Sequence, residues 1–239
     1  KRDIDIRASL RYGSTTFIVD NLAELKKFIP YRERVGLLLR LAFSNTNAVV
    51  DLSKKFGLAP EKAPDFIAAA AKLGLRIKGL SFHVGSQSAR PDAYLKAIKV
   101  CAKLLEASRN GNQSPMSVLD IGGGFPIQYN EKVISIDTFC EPIRAALKTL
   151  IPKNVRIIAE PGRFIAAPAM TCIASVIGKA RRDNLRWYYL DDGVYGSFSG
   201  QIFDHAKYPI FTLKQGPTYP SVLAGPTCDS IDIVASGIP

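Results

Sequence analysis

Several features are scarce or missing in this sequence of 239 residues, and each absence excludes a class of protein. No apolar run reaches the ~18 to 20 residues that a membrane-spanning helix needs, and the N-terminal segment is too charged for a signal peptide. Cysteines are few and far apart, at Cys101, Cys140, Cys172 and Cys228, with no C-x-x-C pair, which excludes a disulfide scaffold and gives no metal-binding pattern. We therefore expect reduced thiols, no metal and a cytoplasmic location.

The composition is that of an ordinary globular protein, because hydrophobic residues make up 47% and charged residues 22% of the chain. Its length suggests one or two domains. Lys and Arg (32) outnumber Asp and Glu (21), and the net charge of +11 could attract nucleic acid or an anionic membrane. However, the longest basic cluster, residues 179–182, is short, and no aromatic residues interleave with it. We interpret the charge as a solvated surface, or as one part of a longer polypeptide, and predict no nucleic-acid or membrane partner.

Five short apolar runs that are typical of strands alternate with helical patterns up to residue 163. The runs are 15–20, 35–41, 77–83, 118–121 and 155–160. The clearest helix is 91–108, while Asn21 and Thr138 are expected near helix starts and Gly74 at a helix stop. This alternation predicts a parallel sheet of β/α units, which either a barrel or a doubly wound sheet would provide.

The pattern changes after Arg163. Short strand-like runs then follow one another without helices between them, at 174–177, 187–190, 201–203 and 209–213. We therefore predict two domains, an α/β domain over residues 1–165 and a β-rich domain over residues 166–239.

Glycine and polar residues follow three of the predicted strands, at the carboxyl ends where parallel β/α folds place their sites. His83 comes first, then Gly122–Gly124, then Glu160 and Arg163. The histidine could be structural, the glycines a tight turn, and Glu160 with Arg163 a structural ion pair. Neither a dinucleotide fingerprint nor a P-loop occurs. A glycine cradle with a histidine, a glutamate and an arginine suggests a phosphorylated heteroaromatic cofactor, of which pyridoxal phosphate fits best.

The β-rich domain carries candidate residues of its own. Asp204 and Asp229 are by default turn residues or solvated charges, and if functional they would suit a cationic group of a substrate. Cys228 stands beside Asp229 without a second Cys or His pair, so it is not part of a metal pattern.

Six motifs stand in one order: FHVGS, DIGGGFP, EPGR, DDGVYGSF, FDH and GPTCDSID, from Phe82 to Asp232. As a set they resemble the ornithine/lysine/diaminopimelate/arginine decarboxylase family, and most of all its bacterial-type ornithine or lysine/ornithine members, because Asp229 stands where a diaminopimelate enzyme would carry Glu. The resemblance implies pyridoxal 5'-phosphate as cofactor. It also implies part of an alanine-racemase-like (β/α)8 barrel, of the TIM-barrel type, followed by part of a β-rich domain.

The resemblance further implies roles at individual positions. The residues expected to bind the cofactor are His83 on the ring face, Glu160 at the pyridine nitrogen, Arg40 nearby, and Ser86, Gly122, Gly123, Gly124, Gly162 and Arg163 around the phosphate. Asp204, Tyr195 and Asp229 would bind the substrate, the last from a second subunit of a homodimer with shared active sites. The catalytic residues would be His83, Glu160 and Cys228, with Cys228 protonating the product, and Lys55 would pair with Asp232 between subunits.

Ornithine decarboxylation to putrescine, a step of polyamine biosynthesis, is the favoured function. Lysine or bifunctional lysine/ornithine decarboxylation, a non-catalytic regulatory homologue that binds a partner protein, and a racemase remain alternatives. The five predicted strands are fewer than the eight of such a barrel. No lysine suits covalent attachment of the cofactor, since Lys78 lies early in its strand and Lys54, Lys55, Lys207 and Lys214 stand outside the cofactor loops. We therefore expect an internal fragment whose cofactor-bearing lysine lies outside this chain.

Overall fold

The structure, a computed structural model, describes residues 1–45, 48–49, 53, 55–110, 115–130, 132–213 and 216–239. Lys54 and Lys214, which the sequence places outside the cofactor loops, lie outside these described residues. The chain divides into two compact units. Unit 1 comprises Lys1–Ile127 and Val133–Ile165, and unit 2 comprises Gln128–Lys132 and Ala166–Pro239.

Unit 1 is built from parallel strands that alternate with helices. The strands are β1 (Thr16–Val19), β2 (Gly36–Leu41), β3 (Ile77–Phe82), β4 (Val118–Asp120) and β5 (Arg156–Ile158). The helices are α1 (Asp3–Arg11), α2 (Leu22–Lys26), α3 (Ala63–Lys72), α4 (Asp92–Arg109), α5 (Ile136–Leu150) and α6 (Gly162–Ala166). The strands pair in the order β1-β2-β3-β4-β5, each next to its neighbour in sequence. Without a reversal of strand order, this is the order of a β/α barrel, which confirms the predicted fold and decides against a doubly wound sheet.

The core of unit 1 lies between the sheet and its helices. Apolar residues at helical spacing on α4 are buried, and Tyr94 on this helix packs against Phe82, Phe125 and Phe139 with ring centroids 5.4 to 6.3 Å apart. Fully burying one such side chain contributes about 1.5 to 3 kcal/mol. The aromatic cluster therefore fixes the loop that follows β4 against the helices.

The helix boundaries follow local capping chemistry. Asn21 caps α2, because its side chain accepts a hydrogen bond from the Glu24 N–H at 2.8 Å. The predicted helix start at Thr138 lies inside α5, whose cap is Ser135, and the Ser135 hydroxyl accepts from the Thr138 N–H. Gly74 follows the end of α3 with a φ of +68°, as expected for a residue that stops a helix.

Unit 2 holds a four-stranded mixed sheet. Its strands are β6 (Val176–Arg182), β7 (Leu185–Leu190), β8 (Ser221–Ala224) and β9 (Ile233–Ile238), and a short helix, α7 (Gly200–Asp204), lies between β7 and β8. The strands pair in the order β6-β7-β8-β9, antiparallel except for the parallel pair β7 and β8.

Two of the strand predictions in unit 2 are wrong. Residues 201–203 form part of α7, because an apolar run this short has no periodicity that could separate a helix from a strand. Residues 209–213 are exposed and belong to no strand, since a strand there would bury no apolar face. The sequence interpretation also missed β8 and β9, which span four and six residues.

All four cysteines are free thiols. Within the described part of the chain, no helix combines the length and the apolar character needed to cross a bilayer.

Candidate active site

Three loops of unit 1 meet where β3, β4 and β5 end. Backbone pairing continues beyond the strands, since the Ile121 N–H donates to the Ile158 carbonyl at 2.9 Å and the Glu160 N–H donates to the Gly122 carbonyl at 2.8 Å. The loops that carry His83, Gly122–Gly124 and Glu160 are therefore neighbours. The sequence places these residues together only through the general rule on strand ends, and the structure brings them into contact.

The three glycines allow this close contact. Gly122 and Gly124 have left-handed backbones, with φ of +66° and +105°. A Cβ atom at Gly122, Gly123 or Gly124 would lie 2.0 to 2.3 Å from the carbonyl oxygen of Phe82, Glu160 or Gly85, respectively. No side chain fits at these positions, so the glycines are needed for packing the loops together as well as for the access to backbone N–H groups expected from the sequence.

Two N–H groups of the glycine loop indicate that the loop binds an anion. The Gly122 N–H donates to the Asp120 carboxyl group at 2.9 Å, but among the described residues the N–H groups of Gly123 and Gly124 have no protein acceptor. Gly123 is buried, and the Tyr94 hydroxyl donates to its carbonyl at 2.8 Å, which fixes the peptide. Because a buried N–H without an acceptor is costly, the loop fits a bound anionic group such as a phosphate.

His83 lies beside this loop in a defined protonation state. Its Nδ1 accepts a hydrogen bond from the Gly85 N–H at 3.0 Å, and its Nε2 lies 3.2 Å from where a Cβ atom of Gly123 would be. Burial lowers the pKa of His83, and the positive charge of Arg40 lowers it further. The imidazole is therefore neutral at pH 7, which suits a flat ring stacked on another aromatic ring.

A row of polar residues crosses the sheet next to these loops. Arg40 on β2 pairs with Ser81 on β3, and Ser81 pairs with Asp120 on β4. Residues paired in this way share one face of a sheet. The guanidinium of Arg40 lies 5.5 Å from the centre of the Phe56 ring, a cation–π distance. The structure thus places Arg40 on the same face of the sheet as an acidic residue that the sequence interpretation did not select.

The missed residue is Asp120. Its side chain is only 3% exposed, and burial raises its pKa above the ordinary value. Glu160 is a direct neighbour, and its pKa is raised by burial and then by the negative charge of Asp120. A charged residue inside an otherwise apolar strand, in the sequence VLDI, is a signal that could have identified Asp120.

The remaining predicted cofactor residues lie on the same three loops. Ser86 is half-buried four residues after β3, and its carbonyl accepts from the Val49 N–H at 3.0 Å. Gly162 starts α6, and its N–H donates to the Glu160 carbonyl at 2.8 Å. Arg163, the next residue, is half-buried and engaged in interactions of its own. Their contact with a phosphate stays a prediction.

Unit 2 brings together two of its predicted site residues. The Tyr195 hydroxyl donates to the Asp229 carboxylate at 2.5 Å. This hydrogen bond raises the pKa of Tyr195 and lowers that of Asp229. Tyr195 is 56% exposed, and Cys228 and Asp229 are exposed as well. Asp204 is half-buried at the end of α7 and has interactions of its own.

The loops of unit 2 that carry these residues are held by Asp232. Its carboxylate, 2% exposed, accepts from the Val194 N–H at 2.9 Å, the Thr227 N–H at 3.0 Å and the Thr227 hydroxyl at 2.7 Å. Burial would raise the pKa of Asp232, but these hydrogen bonds lower it below the ordinary value. The group is therefore ionised and binds its own chain. The predicted pairing with Lys55, whose ammonium lies 5.2 Å from the centre of the Phe56 ring, stays a prediction.

Comparison with known proteins links these features to a family. Residues 1–167 match the model of the pyridoxal binding domain of pyridoxal-dependent decarboxylases. The lysine/ornithine decarboxylase of Selenomonas ruminantium is 36% identical over 231 residues, which is 96% of this chain and 58% of the relative.

Solved structures agree with the sequence comparison. The lysine/ornithine decarboxylase of Vibrio vulnificus complexed with cadaverine is 54% identical, with a TM-score of 0.92 over 100% of this chain and 63% of that chain. The same enzyme has also been solved with putrescine. SrLDC in complex with PLP and cadaverine is 34% identical, with a TM-score of 0.86 over 97% of this chain and 58% of that chain. The chain thus spans about 60% of the length of these relatives.

Proposed function

Because the chain belongs to the family of pyridoxal-dependent decarboxylases, we propose that its protein decarboxylates a basic amino acid with pyridoxal phosphate as the cofactor. The glycine loop carries this proposal. Gly123 and Gly124 offer two N–H groups without acceptors among the described residues, and the neutral His83 and the backbone of Glu160 lie directly beside this loop. The N–H groups, the imidazole and the Glu160 carboxyl group match a phosphate, an aromatic ring and a ring nitrogen, respectively.

The residues of unit 1 would divide the binding of the cofactor. The N–H groups of Gly123 and Gly124, with Ser86 and Arg163, would hold the phosphate through charge-assisted hydrogen bonds. His83 would stack on the ring, and its neutral state avoids placing a second positive charge against a protonated pyridine. Glu160 would accept a hydrogen bond from the ring nitrogen and keep it protonated. When bound, the cofactor supplies the electron sink that decarboxylation requires.

The residues of unit 2 would recognise the substrate. Asp229 is ionised and oriented by Tyr195, so it suits the distal ammonium of ornithine or lysine, with Asp204 as the second carboxylate. Cys228 carries a thiol that could deliver a proton to the product carbanion. We further propose a cytoplasmic homodimer with shared active sites, in which Cys228 and Asp229 serve the partner subunit.

Ornithine is our first choice of substrate, with lysine as the alternative. The two amino acids differ by one methylene group, which changes discrimination by only ~1 to 3 kcal/mol. We keep both amino acids as candidate substrates because the lysine/ornithine decarboxylase of Vibrio vulnificus has been solved with cadaverine and with putrescine. The lysine that carries the cofactor is still expected outside this chain, since Lys78 is the second residue of β3 and donates to the Thr16 hydroxyl at the opposite end of the strands.

Release of carbon dioxide tests the proposal. The full-length protein that contains this chain would be incubated with pyridoxal phosphate and, in turn, labelled ornithine, lysine and diaminopimelate. We expect release from ornithine and lysine, none from diaminopimelate, and a loss of release in the Glu160→Gln variant. Cofactor binding without release from any of the three would contradict the proposal and favour a non-catalytic homologue.

A further inference from the structure

The carboxyl group of Asp120 is buried in unit 1 without a role in the proposed function. It stands at the end of β4, where Ser81 pairs with it on one side and Ile158 on the other. Burying a carboxyl group is costly unless it makes compensating interactions. Its surroundings therefore indicate what the group does.

The backbone brings Asp120 next to Glu160. Ile158 is the register partner of Asp120, and Glu160 lies two residues further along the same chain. Since side chains alternate along a strand, Asp120 and Glu160 lie on the same face, and the hydrogen bond from the Glu160 N–H to the Gly122 carbonyl keeps this register beyond the end of β5. The two carboxyl groups therefore lie within interaction distance, and each shifts the pKa of the other.

Such a contact has a chemical requirement. A hydrogen bond between two carboxyl groups needs a proton on one of them, and two negative charges at this separation disfavour each other. The groups that face the pair are Arg40 from β2, the Ser81 hydroxyl from β3 and the Gly122 N–H from the glycine loop. Because His83 is neutral, Arg40 supplies one positive charge, which balances a pair that carries one negative charge.

We propose that Asp120 is a positioning residue that holds the Glu160 carboxyl group through a hydrogen bond in which the two groups share one proton. The Gly122 N–H fixes one oxygen of Asp120 and thereby directs the other towards Glu160. Glu160 is in this way oriented before the cofactor binds. The inference rests on the proposed role of Glu160 at the ring nitrogen.

Three variants of the full-length protein test this role. Asp120→Asn keeps a donor to Glu160 and an acceptor for the Gly122 N–H, whereas Asp120→Ala removes both. Ser108→Ala is the matched control, because the Ser108 hydroxyl accepts from the Met116 N–H at 3.3 Å, just before the other end of β4. Affinity for pyridoxal phosphate, measured by equilibrium dialysis, should fall about tenfold or more in Asp120→Ala and stay within about threefold in Asp120→Asn and Ser108→Ala. In a Glu160→Ala background, which leaves no side-chain group for Asp120 to hold, Asp120→Ala should change the affinity by less than about twofold.

Infrared spectroscopy of the protein without cofactor tests the shared proton directly. We expect the band of a protonated carboxyl group at neutral pH, and we expect Asp120→Asn and Glu160→Gln each to remove it. If the band is absent, or if Asp120→Ala binds the cofactor as tightly as the unchanged protein, the inference is overturned. If the band behaves as expected but neither the variants nor the unchanged protein bind pyridoxal phosphate, Asp120 and Glu160 do share a proton. In that case the proposed function is wrong, and the inference about the pair is not.

Discussion

The two units hold their candidate residues in different ways. In unit 1, Arg40, Ser81 and Asp120 occupy one row of a parallel sheet, so strand register alone places them. In unit 2, Tyr195 and Asp229 stand on exposed loops, and these loops are tied together by one buried carboxylate, that of Asp232. The comparison shows that a repeated backbone pattern and a single side chain can each organise a site.

The difference has a consequence for robustness. A site fixed by register has several neighbouring strands to support it, so the loss of one side-chain hydrogen bond there should leave the fold intact even where it weakens binding. Loops that converge on one carboxylate lose their common anchor when that carboxylate is removed. Substitutions in the two units should therefore differ in whether they affect folding or chemistry.

The largest effect is expected at Gly124. A Cβ atom there would lie 2.0 Å from the Gly85 carbonyl oxygen, and the backbone is left-handed, so Gly124→Ala should lower the free energy of unfolding by more than about 4 kcal/mol. Gly162→Ala is the control, because nothing lies within 4 Å of its Cβ position and stability should stay within about 0.5 kcal/mol. Urea unfolding of both variants measures the difference. Equal stability of the two would show that the glycine loop is not tightly packed.

Asp232→Ala should have the next largest effect. It leaves the buried N–H group of Val194 and the N–H group of Thr227 without their acceptor, which should cost about 2 to 4 kcal/mol of unfolding free energy. Asp229→Ala, at an exposed position only three residues away, should change stability little. Thermal unfolding of the two variants should show a much lower melting temperature for Asp232→Ala than for Asp229→Ala. A similar drop in melting temperature in both would contradict the role given to Asp232.

The third largest effect should appear in the steady-state kinetics, where substitutions in the two units should change different constants. Asp229→Asn removes a charge that would face the substrate ammonium, so KM for ornithine should rise about 10- to 100-fold while kcat changes less. Glu160→Gln should instead lower kcat, because the ring nitrogen loses its carboxylate. Steady-state measurements on the full-length protein decide this. An unchanged KM in Asp229→Asn would remove this residue from substrate binding.

The smallest effect concerns pH and the two histidines. The pKa of His83 in the folded protein lies below its ordinary value of 6.5, so below that pH the unfolded chain takes up a proton that the folded chain does not. Stability should therefore fall as the pH drops below about 6.5, and His83→Asn should remove part of this dependence. The same substitution at the exposed His205 is the control. A stability profile that is identical with and without His83 would contradict its burial as a neutral group.

The sequence was most informative where residues repeat with a period. The alternation of apolar runs with helical patterns predicted all five strands of unit 1, and the strand-end rule placed His83, Gly122–Gly124 and Glu160 on neighbouring loops. Barrel and doubly wound sheet remained open until the strand order was known, because local patterns do not record which strand lies beside which.

The sequence was least informative where position depends on a partner far along the chain. Residues 201–203 are apolar but helical, and the role of Asp232 as an anchor depends on Val194, which is 38 residues away. The contact between Asp120 and Glu160 arises from the pairing of two strands, which no local motif encodes. Single charged residues inside apolar runs were the one signal that pointed to such positions.

A crystal structure of the full-length protein with pyridoxal phosphate would show directly how the three loops of unit 1 hold the cofactor. We expect the phosphate on the N–H groups of Gly123 and Gly124, the ring nitrogen on the Glu160 carboxyl group, and the imidazole of His83 against the ring. A cofactor bound elsewhere, or one whose ring nitrogen faces away from Glu160, would contradict the assignment of this site.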